Sequence, residues 1–178
     1  MIIGSAFTII RRWTGQSGVV RACHSKTSAL LWAWDMRRED DAVPPQKRNM
    51  VYLPLGNATP DYFIGRRRPF DDKYGSSIVA LDITSGEQGC SFQTVHHDQW
   101  DFDLPVGPSL VDLPGPSGGV ISALLQTTKQ GQIFLLNREN GTPIAAVEER
   151  PQGRARPAGF TDPAVFRRHA VAYAGQAQ

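Results

Sequence analysis

Apolar residues along this chain gather in short runs separated by polar turns. The runs Val19–Ala22, Leu30–Trp34, Val51–Pro54, Ser77–Leu81, Cys90–Thr94, Ser109–Asp112, Ser122–Thr127 and Gln132–Leu136 are rich in Val, Ile, Leu and aromatic residues and predict strands. Three of the turns look alike. His24 to Ser28, Asp82 to Gly86 and Asn137 to Gly141 each follow an apolar run, end in a small residue and lead into another run. A small residue there lets the turn reach positive φ. The step from Asp82 to Asn137 is 137 − 82 = 55 residues, which suits a propeller or solenoid repeat with insertions. Three unrelated hairpins would give the same pattern.

The connections are uneven. Gly56 to Gly75 and His96 to Pro108 are long loops, and long loops in a compact domain are commonly functional or disordered. The stretch Gln93 to Asp103 (Gln-Thr-Val-His-His-Asp-Gln-Trp-Asp-Phe-Asp) lacks the alternation of a half-buried strand. It holds two histidines and three carboxylates. Burying Asp98, Asp101 and Asp103 together is costly unless a cation or hydrogen-bond donors offset them. By itself the stretch reads equally as a functional loop or as a solvated acidic turn. Residues after Pro151 are rich in Ala, Arg, Gly and Pro. They predict a divergent or disordered tail, 152–178, with room for a short helix over Pro163–Ala172, beyond a folded domain at 1–151.

Composition narrows the class. The chain has 178 residues, 40% hydrophobic and 20% charged, which suits one folded domain. Its 17 glycines and 13 prolines favour a turn-rich β protein. A net charge of +2 argues against nucleic acid as a partner. Arg66-Arg67-Arg68, followed by Asp71 and Asp72, reads as a solvated loop with local charge balance. Cys23 and Cys90 lack metal-ligand spacing and read as buried free thiols, with a disulfide as the alternative. No run has the length of a transmembrane helix, and Met1 to Ile10 shows neither an anchor nor an export signal.

Gln93 to Asp103, followed by Thr127-Thr128-Lys129-Gln130-Gly131 and preceded by Gly56-Asn57-Ala58-Thr59-Pro60-Asp61, resembles the membrane-bound quinoprotein dehydrogenases of the glucose/quinate/shikimate type. These use pyrroloquinoline quinone (PQQ). The resemblance is ordered from about Gly18 to about Pro151. It implies an all-β fold, an eight-bladed β-propeller of which this chain supplies a few blades. It also implies PQQ on the propeller axis and a divalent metal, Ca²⁺ or Mg²⁺, beside it. Asp101 matches the base that takes the proton of the substrate hydroxyl. Lys129 and Trp100 match cofactor-binding positions, and Asn57 and Thr59 the metal-binding loop. His96 and His97 fall to the substrate pocket. Asp98 and Asp103 are expected to hydrogen-bond their own loop's backbone. The implied partners are a small sugar or polyol substrate and ubiquinone as electron acceptor. The implied setting is the inner membrane, with the catalytic domain facing the periplasm.

The chain departs from the pattern at several points. Gln46 to Met50 replaces a segment whose tryptophan forms the floor under PQQ. Cysteine stands at position 90 where a blade-docking tryptophan is expected. His24 replaces an aspartate and Ser28 a glycine. A second reading therefore stays open: a non-catalytic propeller fragment or degenerate gene product that binds no cofactor.

Overall fold

A computed structural model describes residues 7–11, 19–37, 49–58, 67–116, 118–151 and 167–171 of the chain. Strands β1 (Phe7–Arg11), β2 (Val19–His24) and β3 (Leu30–Asp35) form one antiparallel sheet. Strands β4 (Met50–Pro54), β5 (Ser77–Asp82) and β6 (Gln88–Gln93) form a second, and β7 (Ser109–Pro114), β8 (Val120–Thr127) and β9 (Ile133–Asn137) a third. Each runs in chain order. Strands β10 (Val147–Pro151) and β11 (Arg167–Val171) pair as a ribbon, and one short helix, α1 (Pro69–Tyr74), lies between β4 and β5. All eight predicted strands are present, with shifts of one or two residues at their ends.

The middle sheet shows why the others must flank it. Every side chain from Ser77 to Leu81 is buried, as its uninterrupted run requires of a strand covered on both faces. Val79 and Leu81 pack toward the first sheet with Val20, Ala22, Trp32, Leu53, Leu55 and Tyr74. Ile78 packs on the other side with Leu104, Leu124, Phe134 and Leu136. Successive strand residues point to opposite faces, so one strand nucleates both cores. This face-to-face stacking of antiparallel meanders is propeller architecture.

The internal repeat is the same turn built three times. The N–H of Ser28, Gly86 and Gly141 donates to the carbonyl of His24, Asp82 and Asn137 at 2.8 Å in each case. The fifth residue is left-handed throughout, with φ 58° at Ser28, 79° at Gly86 and 76° at Gly141. Asp82 Oδ1 accepts from Thr84 and Ser85 N–H, and Asn137 Oδ1 from Glu139 N–H. At His24 the ring Nδ1 takes that place, accepting from Thr27 N–H at 3.3 Å. The departures at positions 24 and 28 thus keep the turn.

The two seams between sheets are equivalent but filled differently. Between the first and second, Trp32 lies on Gly86 and its indole donates to Ile83 O at 2.8 Å. Between the second and third, Cys90 lies on Gly141, and a small indole-free cleft is lined by Tyr52, Cys90, Phe92 and Gly141. There the Tyr52 hydroxyl donates to Arg138 O at 2.6 Å. Ile83 and Arg138 follow Asp82 and Asn137, so these are corresponding carbonyls. Tyr52, on a different strand, satisfies the carbonyl that a tryptophan at 90 would otherwise reach. Burial of that ring raises the Tyr52 pKa.

A Cβ on Gly86 would lie 2.7 Å from the Trp32 ring. Gly86→Ala is therefore expected to cost about 1–2 kcal/mol in backbone strain and about 1–3 kcal/mol more in displaced indole. Gly131, at φ 77° with nothing within 4 Å of a Cβ, should show only the first loss. Thermal unfolding of both alanine variants checks this, and equal losses would contradict the seam.

Some expectations change. The loop after β4 is not irregular throughout. Pro69 at the first helical position and Asp71, which accepts the Arg68 backbone N–H at 2.9 Å, start helix α1. In place of a helix over Pro163–Ala172, residues 167–171 form strand β11 against β10, because backbone pairing with a neighbouring strand overrides weak local helix preference. The rest of 152–178 lies outside the described residues. Cys23 and Cys90 are both free and only half-buried, and burial raises the Cys90 thiol pKa. Among the described residues no helix is long and apolar enough to cross a membrane.

Candidate functional site

Strand direction alternates, so the connections after β4, β6 and β8 emerge at one end and the repeat turns at the other. The first end collects the residues singled out from sequence. The loop from Gly56 to Ser76 carries Asn57, the loop from Thr94 to Pro108 carries Asp101, and the turn from Thr128 to Gln132 carries Lys129. That last turn is tight: Gly131 N–H donates to Thr128 O, Thr128 N–H to Gln132 O, and Gly131 supplies the left-handed φ.

The three connections are bonded together. Lys129 Nζ lies 2.8 Å from Asp101 Oδ2 and 3.8 Å from Asp103 Oδ2. The backbone N–H of Lys129 donates to Asp103 O at 3.2 Å, and that of Asn57 to Asp103 Oδ1 at 2.8 Å. Asp103 is thus the tie between connections. The sequence placed its carboxylate on its own loop's backbone; it instead accepts the Asn57 N–H of the neighbouring connection. Lys129 and Asp101 keep 48% and 24% of their side chains exposed, so their paired charges remain open to a ligand.

Asp98 does bond its own loop, but from a buried position. It is 3% exposed. Its Oδ1 accepts Trp100 N–H at 2.9 Å, and its Oδ2 accepts Phe102 N–H at 2.8 Å and the Ser76 hydroxyl at 2.6 Å. Burial raises its pKa, while these donors and the Arg67 charge pull it down. Arg67 is not a solvated member of a basic run. Its guanidinium donates to Asn57 Oδ1 at 2.9 Å and to Asp98 O at 2.6 Å. Arg68 is balanced locally, as expected, by Asp71. Arg66 lies outside the described residues.

The remaining predicted residues spread around this centre. Trp100 stacks on Phe102 with ring centroids 5.6 Å apart. His97 Nδ1 lies 2.9 Å from Asp72 Oδ1 on helix α1, and His96 Nδ1 lies 3.5 Å from Glu149 Oε1 on β10. Asn57 is 3% exposed, and its Oδ1 also accepts Ala58 N–H at 2.8 Å. Thr59 lies outside the described residues. Two non-glycine residues of the Asp101 loop are left-handed, His97 at φ 48° and Asp101 at φ 58°. Such backbone costs of order 1–3 kcal/mol per residue and persists only where its surroundings enforce it.

The family of PQQ-binding glucose/ethanol/alcohol dehydrogenase β-propeller domains matches residues 44–160, which contain all three connections. The chain belongs to this PQQ-dependent dehydrogenase family. The glycerol dehydrogenase large subunit of Gluconobacter oxydans is 39% identical over 161 residues, covering 79% of this chain and 22% of that protein. The quinate/shikimate dehydrogenase (quinone) of Acinetobacter baylyi is 38% identical over 155 residues, covering 75% and 19%. The chain therefore spans about a fifth of the length of these relatives. The solved quinohemoprotein alcohol dehydrogenase of Pseudomonas putida superposes with a TM-score of 0.61 at 20% identity, covering 82% of this chain and 27% of that one. That likeness supports the propeller fold.

Reading the sequence missed Arg67, Ser76 and the burial of Asp98. Arg67 was hidden in a charge-balanced run. Ser76 carried one signal, its place with Ser77 between Gly75 and the apolar run Ile78–Leu81.

Proposed function

We propose that this chain is the base- and cofactor-facing part of a PQQ-dependent dehydrogenase that oxidises a sugar or polyol hydroxyl. The observation that carries the reading is the Asp101–Lys129 pair, 2.8 Å apart across connections of successive sheets inside the family-matched segment. PQQ, when bound, supplies the acceptor for the hydride leaving the alcohol carbon. Asp101 accepts the hydroxyl proton at its carboxylate, as a general base within hydrogen-bond reach. Lys129 binds cofactor oxygens and stabilises negative charge that develops there. An ammonium with nearly half its side chain in solvent fits that task. Trp100 offers a flat apolar face beside the base, and His96 and His97 line the approach for substrate.

Ca²⁺ or Mg²⁺ beside the cofactor completes the reading less easily. Asn57 Oδ1 already holds two donors, one of them the Arg67 guanidinium, and among the described residues no group of three His, Cys, Asp or Glu side chains is poised for a metal. A cation at Asn57 does not fit this arrangement unless Arg67 withdraws. Ubiquinone as the onward acceptor, and an inner-membrane setting facing the periplasm, belong to the same proposal. The parenthetical quinone in the name of the Acinetobacter relative supports the former.

A ligand that binds only the folded state raises its stability by about 2.7 kcal/mol at a hundredfold excess over Kd. Thermal unfolding with excess PQQ, with and without Ca²⁺ or Mg²⁺, should therefore shift upward, and Lys129→Ala should abolish most of the shift. The second reading, a non-catalytic propeller fragment, is favoured by the Asn57–Arg67 contact. It predicts the same melting curve with and without PQQ.

A further inference from the structure

We propose that Asp98 is the positioning residue of this site, holding Asp101 in its left-handed conformation with the carboxylate turned to Lys129. This deepens the dehydrogenase reading and rests on it for its kinetic part. The amides on either side of Asp101 are both taken by one side chain: Trp100 N–H by Oδ1 and Phe102 N–H by Oδ2. Residue 101, at φ 58°, is the apex of the clamped segment. Left-handed backbone is unfavourable for a non-glycine residue, so something must enforce it. The clamp is itself anchored, because Ser76, at the end of the connection into β5, donates to Oδ2 at 2.6 Å and Arg67 donates to the Asp98 carbonyl at 2.6 Å.

The need for a carboxylate follows from counting acceptors. Asp98 accepts backbone amides on both oxygens. Asp82, in the repeat turn at the far end of the sheets, accepts backbone amides on Oδ1 alone. Asparagine offers one acceptor and one donor group. It can replace Asp82, as Asn137 already shows in the next repeat. At position 98 it would turn an N–H₂ toward an N–H, and one flank of Asp101 would come loose.

Amide hydrogen exchange on the full chain tests this. In Asp98→Asn, whichever of the Trp100 and Phe102 amides faces the new N–H₂ should exchange about tenfold faster, one lost hydrogen bond being worth about one decade. The Val79 and Leu81 amides of β5 should stay protected. Asp82→Asn should leave Trp100 and Phe102 unchanged. In protein loaded with PQQ, Asp98→Asn should lower kcat by about tenfold or more with KM unchanged, the split expected when a reacting group is misaimed. Unchanged exchange at Trp100 and Phe102 would overturn the proposal, as would an equal fall in kcat from Asp82→Asn. If Asp98→Asn loses the fold, Ser76→Ala removes one donor from the same carboxylate. Faster exchange confined to residues 100 and 102 then supports the clamp, and unchanged or uniformly faster exchange overturns it. A loaded protein that turns over no polyol would sink the dehydrogenase reading, while the exchange result still decides the role of Asp98.

Discussion

Asp101→Asn is expected to remove most of the dehydrogenase activity, by about 10²- to 10⁴-fold in kcat, the usual loss when a general base is deleted. The substitution is a clean one. Asparagine has the same shape, tolerates the φ of 58° better than most residues, and keeps an oxygen for Lys129 Nζ. What it cannot do is accept the hydroxyl proton. PQQ affinity should change little, because Lys129 remains. Lys129→Ala should instead weaken cofactor binding and slow the reaction together, since it removes a charge aimed at the acceptor. Steady-state kinetics beside a PQQ titration separate the two patterns. Full activity in Asp101→Asn would remove Asp101 from the mechanism.

Phe134→Ala should cause the largest loss of stability, about 3–5 kcal/mol, the range for a buried Phe reduced to Ala. Phe134 is fully buried and packs edge-tilted on Phe92 of the middle sheet, with ring centroids 5.5 Å apart. Around it lie Ile78, Leu104, Leu124 and Leu136, so the ring joins β5, the Asp101 loop and the third sheet. The same seam sets where the Lys129 turn stands relative to Asp101. Denaturant unfolding should show a lower midpoint with an unchanged slope. A loss below about 1 kcal/mol would mean that the cavity collapses and that the seam is not held by this ring.

The strands were legible because burial on both faces writes itself as an unbroken apolar run, as at Ile78–Leu81, and because the repeat turns need a residue that tolerates positive φ. Strand β11 was not legible. Its sequence Arg-Arg-His-Ala-Val has little apolar content, and it exists through pairing with β10, which no local pattern encodes. Helix α1 was too short to show periodicity, although Pro69 and Asp71 marked its start. At the site, motif resemblance singled out Asp101, Lys129 and Asn57, and alternating strand direction brings their loops to one end. Resemblance says nothing about which carboxylate of a loop is inside. Asp98 looked like its neighbours in sequence, and only the Ser76 hydroxyl and two backbone amides distinguish it. A tryptophan is missing at position 90, yet Tyr52, thirty-eight positions earlier (90 − 52 = 38), satisfies the Arg138 carbonyl from another strand.

The central claim is that this chain brings a base and a cation to one PQQ. Its most direct test is a single-turnover absorbance measurement on purified protein incubated with PQQ and Ca²⁺ or Mg²⁺, then mixed with glycerol, glucose, quinate or shikimate. At least one of these should convert protein-bound PQQ to its reduced spectrum, and Asp101→Asn should slow that conversion by about 10²-fold or more while PQQ stays bound. Bound PQQ that remains oxidised with all four substrates, or that is reduced equally fast in Asp101→Asn, would contradict the account.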